Sequence, residues 1–484
     1  MPGPLHRRQF IIDRSFHAIG PDWRQVDVPG GWVLSHCPGL PVNPIVDGAV
    51  LIGDVVTSDT PVPAIEATRA WLGRWVLIAE GRVFGDAAGL LGIFAAWREP
   101  GEAVLSSSLA PLAGLFPERR VHPRHIGWFG MGWYPPPGSR LEGAVKLLPD
   151  MAFDLNAACV IPCERAQPDR YADLTVPALA DKITEQLSVA LRGLAAKFER
   201  IALPLTGGHD SRMALAAAVA SGTAVETFTL RFPTMAKADR LLPPELARRA
   251  GVPHRFIDFR PQVDPNLQRL WDAHCFGASV DMDRYFFSRR MFDWLKPGMV
   301  VARCAGLGLS HAHFHGKFAG LNWPDAAATP ALLAGRFKDW VSTKIEAAEL
   351  GRWISWREQH GLAGDWPDIF HRDQRMSGWL SAAEQGFDLL PASSIQLVNC
   401  TDMQDLLMAA PHDRRASGEL AHHVIKTARC GLEDLPVNPA LDGLGHRVHQ
   451  KLEREVFRAT CEIGNMRRLR GWHSGWGVDP ASGV

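Results

Sequence analysis

The chain carries no excess of either charge: lysine plus arginine and aspartate plus glutamate number 52 each over 484 residues. Such a balance gives no global field for nucleic acid or for an anionic membrane, so neither is expected as a partner. Long hydrophobic runs are also missing. Apolar stretches break off within about ten residues, roughly half of what a membrane-spanning helix needs. The N-terminal Met-Pro-Gly-Pro-Leu-His-Arg-Arg-Gln-Phe has two arginines but no apolar segment of signal-peptide length, and a cytoplasmic location is expected. No C-x-x-C pair occurs among the eight cysteines, Cys37, Cys159, Cys163, Cys275, Cys304, Cys400, Cys430 and Cys461. Cys159 and Cys163 are the closest. Without histidine partners they are too sparse for a zinc module, and all eight read as free thiols. Internal repeats and low-complexity tracts are absent, and so is the common nucleotide loop G-x-x-x-x-G-K-S/T.

What is present fits a globular protein of two or three domains, with 46% apolar and 21% charged residues. Up to about residue 165, short apolar runs alternate with turns: Trp32–Leu34, Ala49–Ile52, Trp75–Ile78 and Ala103–Leu105. These predict antiparallel strands. Pro135-Pro136-Pro137-Gly138 has to be a loop. From about residue 170 the texture changes. Leu187–Phe198 has a helical period, Val225–Leu230 and His254–Asp258 read as strands, and a helix is expected between them, near Pro244–Gly251. Strands alternating with helices mean a parallel sheet covered on both faces, with ligands beyond the carboxyl ends of its strands.

One stretch stands out. The apolar run Ile201–Leu205 leads into Thr206-Gly207-Gly208-His209-Asp210-Ser211-Arg212, and the Ala-rich Met213–Ala220 follows with helical character. Two glycines allow a sharp turn with uncovered N–H groups, and the helix behind aims its free donors and positive dipole end into it. That arrangement suits a phosphate or pyrophosphate. Asp210 also suits a helix N-cap. His209, Asp210 and Ser211 are not a hydrolytic triad, because consecutive residues project in different directions.

Thr206–Ser211 resembles the Ser/Thr-G-G-x-D-S pyrophosphate loop of the asparagine synthetase-like ATP pyrophosphatases. Upstream, Gly73–Ile78, Val83-Phe84-Gly85-Asp86-Ala87-Ala88-Gly89-Leu90 and Leu105-Ser106-Ser107-Ser108 resemble that family's N-terminal domain. The resemblance covers most of the chain and is vaguer toward the C-terminus. It implies an α+β Ntn-hydrolase-like sandwich domain over residues 1–168. An α/β ATP-pyrophosphatase (HUP-like) domain, with a parallel sheet and a helical C-terminal part, would occupy 169–484. It further implies that Leu205, Thr206, Gly207, Gly208 and Ser211 line the ATP phosphates, that Asp210 meets Mg²⁺, and that Leu230 contacts adenine. Asp239 resembles an acidic family position, with a solvated surface aspartate as the alternative. Ala305–His311 resembles the family's S-G-x-G-x-D-E signature. Its glycines, Gly306 among them, are kept and its acids lost; Asp281 or Asp283 could supply a carboxylate from elsewhere in the fold, though the spacing does not require it. Glu384 or Asp388 would take a proton from the attacking amine, and Lys426 matches a family lysine, with a structural salt bridge as the alternative for each. Arg447 stands near where a later lysine is expected, and could balance charge but not donate a proton.

Family members that hydrolyse glutamine expose a cysteine directly after the initiator methionine. Here residue 2 is Pro2 and the first cysteine is Cys37, so the glutaminase centre is expected to be retired to a scaffold. The expectation is an ATP-dependent amide-forming ligase that releases AMP and pyrophosphate, as in β-lactam synthetases and lasso peptide cyclases. Macrolactam formation on a precursor peptide, with a protease partner, is the favoured form, and the substrate is a peptide or small-molecule carboxylate. The alternatives are an ammonia-using amide synthetase and a non-catalytic nucleotide- or peptide-binding descendant. His311, His313 and His315 admit two readings: a transition-metal site on one strand face, or imidazoles facing phosphate in place of the missing acids.

Overall fold

The computed structural model describes residues 8–452 except 21, 46–47, 57–63, 123–130, 232–234, 259–275, 277–288, 322, 324–328, 338–342, 362–363 and 446. Pro2, Asp281, Asp283, Cys275 and Cys461 lie outside the described residues.

The N-terminal part is built from two six-stranded antiparallel sheets. One runs in the order Val145–Lys146, Phe94–Glu99, Glu102–Ser106, Phe10–Asp13, Trp32–His36, Arg24–Val28. The other runs Cys159–Pro162, Met151–Asp154, Arg82–Gly85, Leu72–Ala79, Val50–Val56, Val42–Pro44. Their inner faces share one core, in which Phe10, Ile12 and Leu34 of the first sheet join Ile52, Val76, Ile78 and Phe153 of the second. Three of the four expected strand runs fall inside these strands, the fourth, Ala49–Ile52, starts one residue before Val50–Val56, and Pro135–Gly138 is irregular.

The later part holds a parallel sheet of five strands: β1 (Arg200–Pro204), β2 (Glu226–Arg231), β3 (His254–Asp258), β4 (Met299–Arg303) and β5 (Ser393–Gln396). Their order is β3-β2-β1-β4-β5. Leaving β1, the chain first builds outward to one side through β2 and β3, then crosses to the other for β4 and β5. The point of reversal lies between β1 and β4. On one face pack α1 (Val176–Lys197), α2 (His209–Ser221), α3 (Lys237–Ala250) and α4 (Glu419–Lys426). On the other, Met291, Leu295, Phe387 and Leu390 cover Ala202, Phe228 and Val301. The helix expected at Pro244–Gly251 starts earlier, at Lys237, and contains Pro243 and Pro244. Buried Leu242, Leu246 and Ala247 hold it to the sheet although both prolines lack the N–H for an i−4 bond. No helix among the described residues is long and apolar enough to cross a membrane.

Buried charges join the sandwich to the later part. Arg74, on Leu72–Ala79, grips Asp388 with Nη1 and Nη2 at 2.6 and 3.0 Å. Arg69 donates to Asp402 and Asp405, each at 2.8 Å. Lys146 donates to the Ser377 carbonyl beside a cavity also lined by Tyr134, Arg140 and Gln385. Burial pushes the Lys146 ammonium down to about 7. In the unfolded chain a lysine titrates near 10.4, so between about pH 7 and 10 the unfolded state binds the extra proton and stability rises with pH. Lys146→Met should remove this rise. Urea unfolding of both proteins at pH 7, 8 and 9 should show the variant's relative advantage shrinking by up to ~1.4 kcal/mol per pH unit. A pH-independent difference would show that Lys146 is not held neutral.

Candidate functional site

The glycine turn leaves β1 at its carboxyl end and is pinned to the neighbouring strand. The Leu205 N–H donates to the Phe228 carbonyl at 2.8 Å, and Thr229 Oγ1 donates to the Leu205 carbonyl at 2.6 Å. Leu205 is therefore fully buried, and Leu230 sits half-buried one residue further along β2. The turn itself stays open, with Thr206 exposed and the Asp210 side chain 34% exposed.

The turn's own donors are not uncovered, contrary to expectation. Thr206 N–H donates to Ser211 Oγ at 3.0 Å and Gly208 N–H to Thr206 Oγ1 at 3.3 Å. Gly207 N–H donates to Asp239 Oδ1 at 2.7 Å. Hydroxyls two and five residues away, and a carboxylate from the first turn of α3, are close enough to take them. Asp239 is thus an anchor of the turn rather than a solvated surface residue. The Ser211 hydroxyl, buried, serves the turn's own backbone. The free donors lie one step later. Gly208 is the N-cap of α2 and offers no side chain, and no described bond uses the N–H of His209, Asp210 or Ser211. Asp210 lies in the first helical turn and makes no cap hydrogen bond, so the N-cap alternative does not hold.

Behind the turn lies Arg212. It is fully buried, and its Nη1 and Nη2 donate to the carbonyls of Leu432 (3.2 Å), Leu435 (2.5 Å), Gly207 (3.2 Å) and Pro436 (3.0 Å). No carboxylate pairs with it among the described residues, and burial pulls its guanidinium down to about 10. A buried cation balanced only by carbonyl dipoles makes the region in front of it attractive to anions. Asn438 N–H adds a second bond to the Gly207 carbonyl at 3.1 Å. Sequence reasoning treated Arg212 only as the end of the motif. Its place on a helix otherwise buried from Met213 to Ala218 was the available signal.

The degenerate second signature follows β4 as a tight turn, Ala305–His311, and reaches the same place. His311 Nε2 meets Asp210 Oδ1 at 2.5 Å, and the His209 ring lies 5.4 Å from the His311 ring, centroid to centroid. Burial, together with the His311 ring, holds His209 below the ordinary histidine pKa. His209 in turn leans on Gly418, where a Cβ would come within 2.9 Å of the ring at a φ of +80°. Gly306 is required by packing, since a Cβ there would run into Val398 and crowd Met376. The three alternate histidines do not share a face. Ala312, at φ +48°, breaks the path between the turn carrying His311 and the helix His313–Lys317. His311 goes to Asp210, His313 stays exposed, and His315 meets Asp368 at 3.2 Å while stacking on His412. His315, Asp365 and Asp368 bring three donor atoms within 4.8 Å of one another, but Arg415 already holds both Asp368 oxygens at 2.9 and 2.6 Å.

The residues expected to move protons lie elsewhere. Glu384 is fully buried; Oε1 accepts from Arg303 (2.7 Å) and Gln396 (2.8 Å), and Oε2 from Ser394 (2.8 Å). Burial opposes its ionisation, but Arg303 and Arg74 outweigh it and hold the carboxyl below its usual value. Asp388 is held by Arg74. Both carboxylates are ion-pair partners rather than free bases. Lys426 is exposed at the last residue of α4, roughly 10 Å of helix rise from the end that adjoins His209. Arg447 is exposed on the segment after Asn438, and no described bond ties its side chain to the turn.

At the start of the sandwich's first strand stands Gln9, whose Oε1 accepts from Ser107 (2.9 Å) and Ser108 (2.5 Å). Cys37 is buried, accepts from the Gln9 N–H at 3.2 Å, and has its thiol pKa raised by that burial. That is the opposite of an activated nucleophile. No protein-family model matches this sequence, and no curated protein matches it.

Glu384→Ala should take the carboxylate away from buried Arg303, while Arg74 keeps Asp388, and lower stability by about 3–5 kcal/mol. Thermal or denaturant unfolding checks this. A variant as stable as the parent would return Glu384 to the pool of functional residues.

Proposed function

We propose that this protein is an ATP-dependent, AMP-forming amide ligase that works without glutamine hydrolysis. The supporting observation is the position of the glycine turn. It is open at the carboxyl end of β1, where the strand order reverses and open α/β sheets bind their ligands. Three free N–H groups of α2 lie in front, and the carboxylate-free Arg212 behind. This combination favours a polyphosphate over a neutral ligand. Leu230, on the adjoining edge of β2, is the residue proposed to meet the base.

In the proposed reaction a substrate carboxylate attacks the α-phosphorus of ATP. An acyl-oxygen-to-phosphorus bond forms, the bridge to the β-phosphate breaks and pyrophosphate leaves. An amine then attacks the acyl carbon, forming the amide and expelling AMP. The N–H groups of His209, Asp210 and Ser211 are placed for the leaving pyrophosphate, and Arg212 lends its field from behind. With the Cys37 thiol buried, the sandwich supplies no nucleophile for glutamine from that residue. The amine therefore comes from the substrate, as in macrolactam closure of a precursor peptide, or from free ammonia. Mg²⁺ fits this donor set poorly. Of the turn's two carboxylates, Asp210 is already paired with His311 and Asp239 with the Gly207 N–H, where Mg²⁺ prefers oxygen ligands around it.

The test is to incubate the protein with ATP, a divalent cation and candidate peptide acids, following AMP and pyrophosphate. Acid-dependent AMP release is expected, and Asp210→Ala should reduce it by ~100-fold or more. Nucleotide binding without turnover would replace the ligase reading with a non-catalytic binding protein. That second reading is favoured by the loss of the acidic signature and by Asp239 on the Gly207 N–H. Absence of nucleotide binding would overturn both.

A further inference from the structure

The pair Asp210–His311 has a chemical character of its own. Where the resembling signature has acids, this chain brings an imidazole from the end of β4 to the open side of the glycine turn. It rests on Asp210, with His209 beside it. We propose that the site selects a divalent first-row transition ion of the Co²⁺ or Zn²⁺ kind over Mg²⁺, held by Asp210 and His311 together with phosphate oxygens. This rests on the nucleotide reading above and specifies its metal.

The donor chemistry decides the preference. Mg²⁺ is a hard cation that keeps oxygen ligands in a strict octahedron and gives up water reluctantly. Replacing an acid by imidazole removes both an oxygen donor and a negative charge, which weakens Mg²⁺ most. Imidazole nitrogen suits Zn²⁺ and its neighbours, which accept mixed nitrogen and oxygen sets in several geometries. The geometry needs little change. A metal about 2.0–2.2 Å from each donor spreads Nε2 and Oδ1 to roughly 3.0–3.5 Å, against 2.5 Å in the bare pair. Both side chains are part-exposed, at 34% and 28%, so they are free to open by that amount and an ion can reach them. His209, whose ring lies 5.4 Å from that of His311, is a further imidazole beside the pair. The other histidine–carboxylate cluster, His315 with Asp365 and Asp368, lacks this freedom because Arg415 already neutralises Asp368.

The experiment uses the full chain, with Co²⁺ as a spectroscopic probe and a non-hydrolysable ATP analogue as nucleotide. Cobalt should give a visible absorption band that strengthens when the analogue is added. Analogue affinity should be at least tenfold higher with Co²⁺ or Zn²⁺ than with Mg²⁺. His311→Glu, checked for folding by circular dichroism, should lose the band and reverse the preference toward Mg²⁺, whereas His315→Ala should keep both. Equal or better analogue binding with Mg²⁺ in the parent, or an unchanged preference in His311→Glu, would overturn the proposal while leaving the nucleotide reading intact. A band that survives His311→Glu but vanishes in His315→Ala would overturn it too. No analogue binding with any ion would show instead that the nucleotide reading itself has failed.

Discussion

The buried guanidinium of Arg212 is the constraint around which the later part of the molecule is arranged. A cation without a carboxylate partner cannot stay inside a protein unless its N–H groups are met by acceptors. Here four backbone carbonyls meet Nη1 and Nη2, three from residues 432–436 and one from Gly207, while Nε has no partner among the described residues. One side chain on the first turn of α2 thereby fixes the glycine turn and the return path of the C-terminal segment together. Asn438 closes the same junction from the other side. The geometry of the turn is consequently set by chain more than two hundred residues away.

A second group of buried charges does comparable work between the sandwich and the parallel sheet. Arg74 reaches Asp388 and Glu384, while Glu384 holds Arg303 at the end of β4 and Gln396 at the end of β5. Such pairs contribute little net stability when whole, because desolvation offsets attraction, but they tolerate only one arrangement. The strand carrying Arg74 is thus held in register with the strand whose continuation delivers His311. The N-terminal sandwich acts here as a scaffold that locates the ends of β4 and β5.

The strands and the glycine turn were legible because their signals are local. Apolar runs such as Trp75–Ile78 and Ile201–Leu205 have no other way to be buried, and two glycines before a helix make a turn. The alternation after residue 200 also pointed correctly to a parallel sheet covered on both faces. What could not be read depends on meetings between distant residues. Asp239 caps Gly207 only because α3 begins seven residues before its prolines suggest. The three histidines part company because Ala312 takes a left-handed conformation, which no side-chain pattern announces. For Glu384 and Asp388 a salt bridge stood beside the catalytic reading, but the partners, Arg303 and Arg74, are brought to them only by the sheet order.

Asp239 has a consequence for whatever the turn receives. Its carboxylate already sits on the Gly207 N–H, so an incoming anion gains that donor by exchange rather than by addition. Measured affinity then reflects the difference between two negative guests competing for one host group. For the polyphosphate proposed above, such a resident would sharpen selection, since a weakly charged molecule would not dislodge it and a densely charged one would.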